Sequence, residues 1–145
     1  PRDEAFKMVE AYVVSNLQES LDLTDDQFTK ILPHVKRLQK DRRDLAQRRV
    51  QALVEMRRML ESGAATEARV AGLLKEVKAV DAEQPETMRK DMEAIDAVLT
   101  PVQQAKFRLL EAEVERKIRA LMNELRAPNR NPGRNRRPPA DEPEP

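Results

Sequence analysis

The chain has 145 residues, 39% hydrophobic and 37% charged, with three Gly, no Cys and no Trp. That length and mixture fit one domain built from long helices around a modest core. The absence of Cys excludes disulfides, thiol catalysis and thiolate metal sites, and no run approaches the ~20 apolar residues of a membrane-spanning helix.

The net charge of +1 hides a segregation along the chain. Residues 1–26 carry two bases against seven acids, 27–62 ten against four, and 63–99 five against eight. Adjacent segments of opposite sign can lie antiparallel with complementary faces. Alternatively, the basic segment is a surface that attracts acidic or partly unfolded partners.

The first helix is predicted over Glu4–Ser20, because Phe6, Val9, Val13 and Leu17 recur at spacings of three and four, with Tyr12 and Val14 widening that face. Leu23-Thr24-Asp25-Asp26-Gln27 then reads as a capping box. Thr24 at N-cap accepts from the N3 backbone N–H, and Gln27 at N3 reaches back to the N-cap N–H. Asp25 and Asp26 stand at the positive end of the helix dipole, and Phe28 can pack on Leu23 as a hydrophobic staple.

The second helix extends to about Ser62, with a stripe of Phe28, Ile31, Leu32, Val35, Leu38, Leu45, Leu53, Met56, Met59 and Leu60. Pro33 sits two turns inside and is predicted to bend the helix or leave a carbonyl open. Gly63 reads as the residue that closes this helix, and Thr66-Glu67 opens a third. Val70, Leu74, Val77, Met88, Met92, Ile95 and Leu99 mark the buried face of that third helix, with a kink expected at Pro85.

Leu99-Thr100-Pro101-Val102-Gln103 repeats the capping phrase, now with Pro101 at N1, where the missing N–H costs nothing. The fourth helix follows, lined on one side by Phe107, Leu110, Val114, Ile118, Leu121 and Leu125. From Pro128 the pattern stops. Residues 128–145 read as a disordered Pro/Arg/Asn-rich tail behind a helical domain over 1–127.

Two Leu-Thr-x-x-Gln phrases, each ahead of a long amphipathic helix, resemble the Spy/CpxP family of periplasmic stress proteins. The resemblance covers roughly Phe6 to Leu125, and the order of helix, motif, long hairpin, motif and helix agrees. It implies an all-α, four-helix protein with a long bent hairpin, assembled as an elongated antiparallel dimer in the periplasm. The chain begins at Pro1 without Met, as a mature or trimmed product would. A forty-residue helix is ~60 Å long, and a domain of this size cannot cover both sides of it, which also points to a homodimer along the second helix.

The second helix holds the least comfortable residues. On a seven-residue repeat, Phe28, Val35, Arg42, Arg49 and Met56 form one column. The two Arg must reach acidic partners, turn to solvent, or line a mixed basic and apolar surface. Met56 and Met59 lie one turn apart beside Arg57 and Arg58, and Met offers adaptable apolar contact. Arg42, Arg43, Arg49, Met56, Arg57, Arg58 and Met59 are therefore the candidate client-binding residues.

No Gly-rich phosphate loop, nucleophile elbow or catalytic cluster is legible, so the chain reads as a non-enzyme without a cofactor. Relatives in the family that sense metals carry clustered His. Here His34 stands alone, with Lys30 and Leu38 one turn to either side, and falls short of a ligand set. The basic stretch from Lys36 to Arg58 lacks a recognition motif or aromatic platform, which argues against nucleic acid. The function expected from the resemblance is ATP-independent capture of partly unfolded proteins. The alternative is a periplasmic metal-sensing or regulatory domain acting on a membrane-bound signalling partner.

Overall fold

The computed structural model describes residues 2–126, which form four α-helices: α1 (Arg2–Leu21), α2 (Asp25–Ser62), α3 (Glu67–Asp96) and α4 (Pro101–Arg126). The expected tail over 128–145 lies outside the described residues. The all-α architecture follows from the periodic apolar faces and the helix-ending chemistry between them.

Each connection is closed locally. At the end of α1, Asp22 adopts a left-handed conformation (φ 54°), and the Leu23 N–H donates to the Gln18 carbonyl at 2.9 Å. That six-to-one bond is the Schellman closure, with Asp where Gly is usual. At the end of α2, Gly63 takes φ 73° and its N–H donates to the Met59 carbonyl. Thr66 caps α3 by accepting from the Arg69 N–H at 3.2 Å.

Both Leu-Thr-x-x-Gln phrases form complete capping boxes. Thr24 Oγ1 accepts from the Gln27 N–H at 3.1 Å, and Gln27 Oε1 accepts from the Thr24 N–H at 3.2 Å. The second box is equivalent, at 3.3 Å and 3.1 Å between Thr100 and Gln103. Leu23 and Leu99, each preceding its Thr, are both buried.

Helices α1 and α4 pack antiparallel, and α2 and α3 form the long hairpin. One core joins all four: Val13, Leu17 and Leu21 of α1, Ile31, Val35 and Leu38 of α2, Ile95 of α3, and Phe107, Leu110 and Val114 of α4. Full burial of Phe107, Leu17, Leu21, Ile31, Leu38 or Ile95 contributes about 1.5–3 kcal/mol apiece. Midway along the α1–α4 pair, Tyr12 donates to Glu113 at 3.2 Å and carries the Lys117 ammonium 4.2 Å above its ring.

Helices α2 and α3 run on through Pro33 and Pro85, so neither proline is a boundary. Both prolines are exposed, as are Thr29 and Asp81, whose carbonyls lose an intrahelical donor and can turn to water.

Several expected core positions are corrected. Leu53, Leu60, Leu74 and Leu125 are exposed, while Ala52 and Val80 fill the seam instead. The reason is the shape of the molecule. Beyond Leu45, the hairpin buries only Leu45, Ala52, Val77 and Val80, and none of these belongs to the four-helix core. Two helices meeting along a single line hide a narrow stripe, so apolar residues to either side of that line stay in water.

Candidate functional site

The distal hairpin is the part of the molecule whose surface its own core does not explain. From Leu45 to Ser62, α2 runs ~26 Å at the standard helical rise, with α3 as its described neighbour. Val50, Leu53, Val54 and Leu60 are exposed along it, and Leu74 is exposed on α3. Spacings of three and four set the α2 residues on one side of the helix, with Arg57 in the same stripe. Scattered exposed apolar residues are ordinary on protein surfaces, whereas contiguous ones mark contact surfaces.

The proposed client-binding residues divide into two groups in the structure. Arg42, Arg43 and Arg49 reach acidic partners on other helices. Arg42 makes a two-pronged contact with Glu111 of α4, one prong at 3.0 Å. Arg43 donates to both carboxylate oxygens of Glu10 of α1, at 2.8 and 3.0 Å, and Arg49 donates to Asp81 of α3 at 3.0 Å. Arg48, which the sequence reading left aside, bonds Glu76 and Glu83 at 2.9 and 2.8 Å. The second group lies further out: Met56 and Met59 are half-buried, and Arg57 and Arg58 are exposed. Arg58 pairs with Glu55 one turn back at 2.7 Å.

Much of the charge of the basic segment is thus taken up in ion pairs within the chain. The ion pairs of Arg48 and Arg49 tie α2 to α3 along the arm, and those of Arg42 and Arg43 tie α2 to the four-helix end. Bidentate Arg–carboxylate geometry fixes orientation as well as proximity. The cations left outward at the apolar stripe are Arg57 and, through its single local pair, Arg58.

His34 is half-buried and lines a hollow of about 380 Å³ with Arg37, Asp41, Thr87, Lys90, Asp91 and Ala94. Among the described residues, no three His, Asp or Glu side chains gather in a group suited to a metal ion. No described helix is long and apolar enough to cross a membrane.

The capping residues Leu23, Thr24, Gln27, Leu99, Thr100 and Gln103 come together at the other end of the molecule. Gln27 Nε2 donates to Gln103 Oε1 at 2.8 Å and to the Val98 carbonyl at 3.3 Å. Gln103 Nε2 donates to Gln27 Oε1 at 3.1 Å and to the Asp22 carbonyl at 3.3 Å. Val98 and Asp22 each stand two residues before a capping Thr, so the two phrases meet about a local two-fold axis. The sequence signal for this meeting was the repetition itself, which the capping role alone does not require.

Fold and site together define an all-α protein with a four-helix end, a glutamine clasp and a projecting two-helix arm. Comparison with family models, with curated proteins and with solved structures finds no match.

Proposed function

We propose that the protein is an ATP-independent chaperone or stress protein of the Spy/CpxP type, acting in the periplasm. Partly unfolded clients would be held on the distal hairpin. The observation that carries this reading is the exposed stripe of Val50, Leu53, Val54 and Leu60 with Arg57 among them, on an arm that its own core does not cover. Weak apolar contact of that kind suits many client shapes, and Met56 and Met59 beside it add adaptable side chains. Exposed cations speed encounter with acidic clients without fixing a register. The doubled Leu-Thr-x-x-Gln phrase supports the family reading.

A second copy packed antiparallel along α2 would cover one side of the arm and leave the other as a shallow cradle. An isologous contact of this sort repeats each residue pair about its axis, and the stripe of Val50, Leu53, Val54 and Leu60 would lie on the side left open to clients.

The test is a client-aggregation assay without nucleotide. Wild-type protein at a few-fold excess should delay aggregation, and Ser at Val50, Leu53, Val54 and Leu60 together should remove that protection with the helix content intact. Protection unchanged in the quadruple variant sinks the proposal. The assay repeated with divalent metals, and with His34→Ala, separates capture from metal sensing: a metal-dependent response lost with His34 would favour the sensor.

A further inference from the structure

We infer that Asp91 and Asp41 share one proton across the stem of the hairpin, and that its loss loosens α3 from α2 there. Asp91 is the one buried charged residue among the described residues, at 6% exposure, and its Oδ2 is sealed from solvent without a hydrogen-bond partner. Asp41, on the facing helix, borders the same hollow as Asp91, and its carboxyl is among the groups that disfavour ionisation of Asp91. Two carboxylates can bond each other only through a proton, and a sealed, unpartnered carboxylate oxygen is costly to keep ionised. The pair sits where the four-helix core gives way to the arm, flanked by Leu38 and Leu45 on α2 and by Ile95 on α3.

The groups around the pair argue for a proton rather than a bound ligand. Asp91 borders the hollow that also holds His34, Arg37 and Asp41 of α2 and Lys90 of α3. Its Oδ2 is closed off from that hollow, so a ligand resting there would not reach it. Arg37 and Lys90 on the rim oppose a cation. Arg37 and then Arg42 of α2 favour the ionised form of Asp91, the charge of Arg42 being also met by Glu111 of α4. Burial first, and then the neighbouring Asp41, push the Asp91 carboxyl up to about 6.

The direction follows from linkage. A carboxyl raised in the folded state adds stability that is fully present below its ordinary value near 3.8 and is lost as pH rises through about 6. Acidification therefore tightens the stem, and neutral pH places two charges in a space built for one. This inference is independent of what the arm binds.

The experiment is a side-chain carboxyl ¹³C NMR titration of the full wild-type chain from pH 4 to 8, with melting temperatures and amide hydrogen exchange over the same range. One aspartate resonance should titrate near pH 6, and the melting temperature should fall by several degrees between pH 5 and 7.5. Exchange at residues 87–95, corrected for intrinsic rate, should rise several-fold over that interval. Asp91→Asn, whose amide can donate to Asp41, should flatten the melting profile, and Asp41→Asn should do the same. His34→Gln should leave it sloped. The inference is overturned if both aspartates titrate near pH 4, if both Asn variants keep the wild-type slope, or if His34→Gln alone removes it. Should Asp91→Asn fail to fold, the wild-type titration decides by itself.

Discussion

The side-chain amides of Gln27 and Gln103 pair reciprocally, at 2.8 and 3.1 Å, while each oxygen also receives the backbone N–H of its own capping Thr. One glutamine thereby ends a helix locally and joins the two helix starts of a chain whose motifs lie 76 positions apart. Glu can fill the capping position equally well, but it has no amide N–H to donate. Gln27→Glu should keep α2 capped and lose the bonds to Gln103 Oε1 and the Val98 carbonyl, for about 1–3 kcal/mol of stability. The double variant with Gln103→Glu should lose more than the two singles combined, since two carboxylates then face each other. Chemical denaturation of the four proteins measures the coupling, and strict additivity would show that the two motifs act separately.

The two left-handed residues make a matched pair of backbone tests. Gly63→Ala meets no atom within 4 Å of its new Cβ, so the cost comes from φ 73° alone. It should be about 1 kcal/mol. Asp22 sits at φ 54° with a side chain already in place. Asp22→Gly should gain up to ~1 kcal/mol, the relief of that strain less the added freedom of the unfolded chain. Opposite shifts in melting temperature are the expected result.

Charge reversal should separate the cations that hold the molecule together from those that meet a partner. Arg42→Glu places a carboxylate against Glu111 and should lower stability by ~1–3 kcal/mol. Glu111→Arg in the same chain should recover part of that loss. Arg57→Glu should leave stability within about 0.5 kcal/mol, yet slow client capture, with an effect that shrinks as salt is raised. Stopped-flow capture at two ionic strengths reads the difference.

Acid lability should appear below the window governed by Asp91. Arg108 donates to both oxygens of Asp96, at 2.9 and 2.8 Å, and holds that carboxyl below its ordinary value. A depressed carboxyl contributes stability above its unfolded value near 3.8, and this is lost as pH falls through the lower folded value. Asp96→Asn should melt below wild type at pH 7, and the gap should close in strong acid. A gap that stays constant down to pH 2 would assign the loss to packing instead.

What could be read from the chain alone was whatever depends on neighbours within a turn or two. The boxes at Thr24 and Thr100, the cap at Thr66, the left-handed Gly63 and the face shared by Val13 and Leu17 all follow from short-range geometry, which residue order encodes directly. The resemblance carried by the repeated phrase also pointed to the helix order. Periodicity could say that Leu53 and Leu60 share a side of α2, but not whether a neighbour would cover that side. Only the tertiary structure decided this, because burial is set by how many helices surround a position, and among the described residues the distal hairpin joins just two. The same limit applies to Arg42, whose apolar column could not name Glu111 as its partner. Asp91 lay unremarked among the charges of α3 until packing brought it against Asp41. Gln27 and Gln103 mark the boundary between the two kinds of knowledge. Their capping roles are local and legible, but their pairing required the fold to bring two distant helix starts within hydrogen-bond reach.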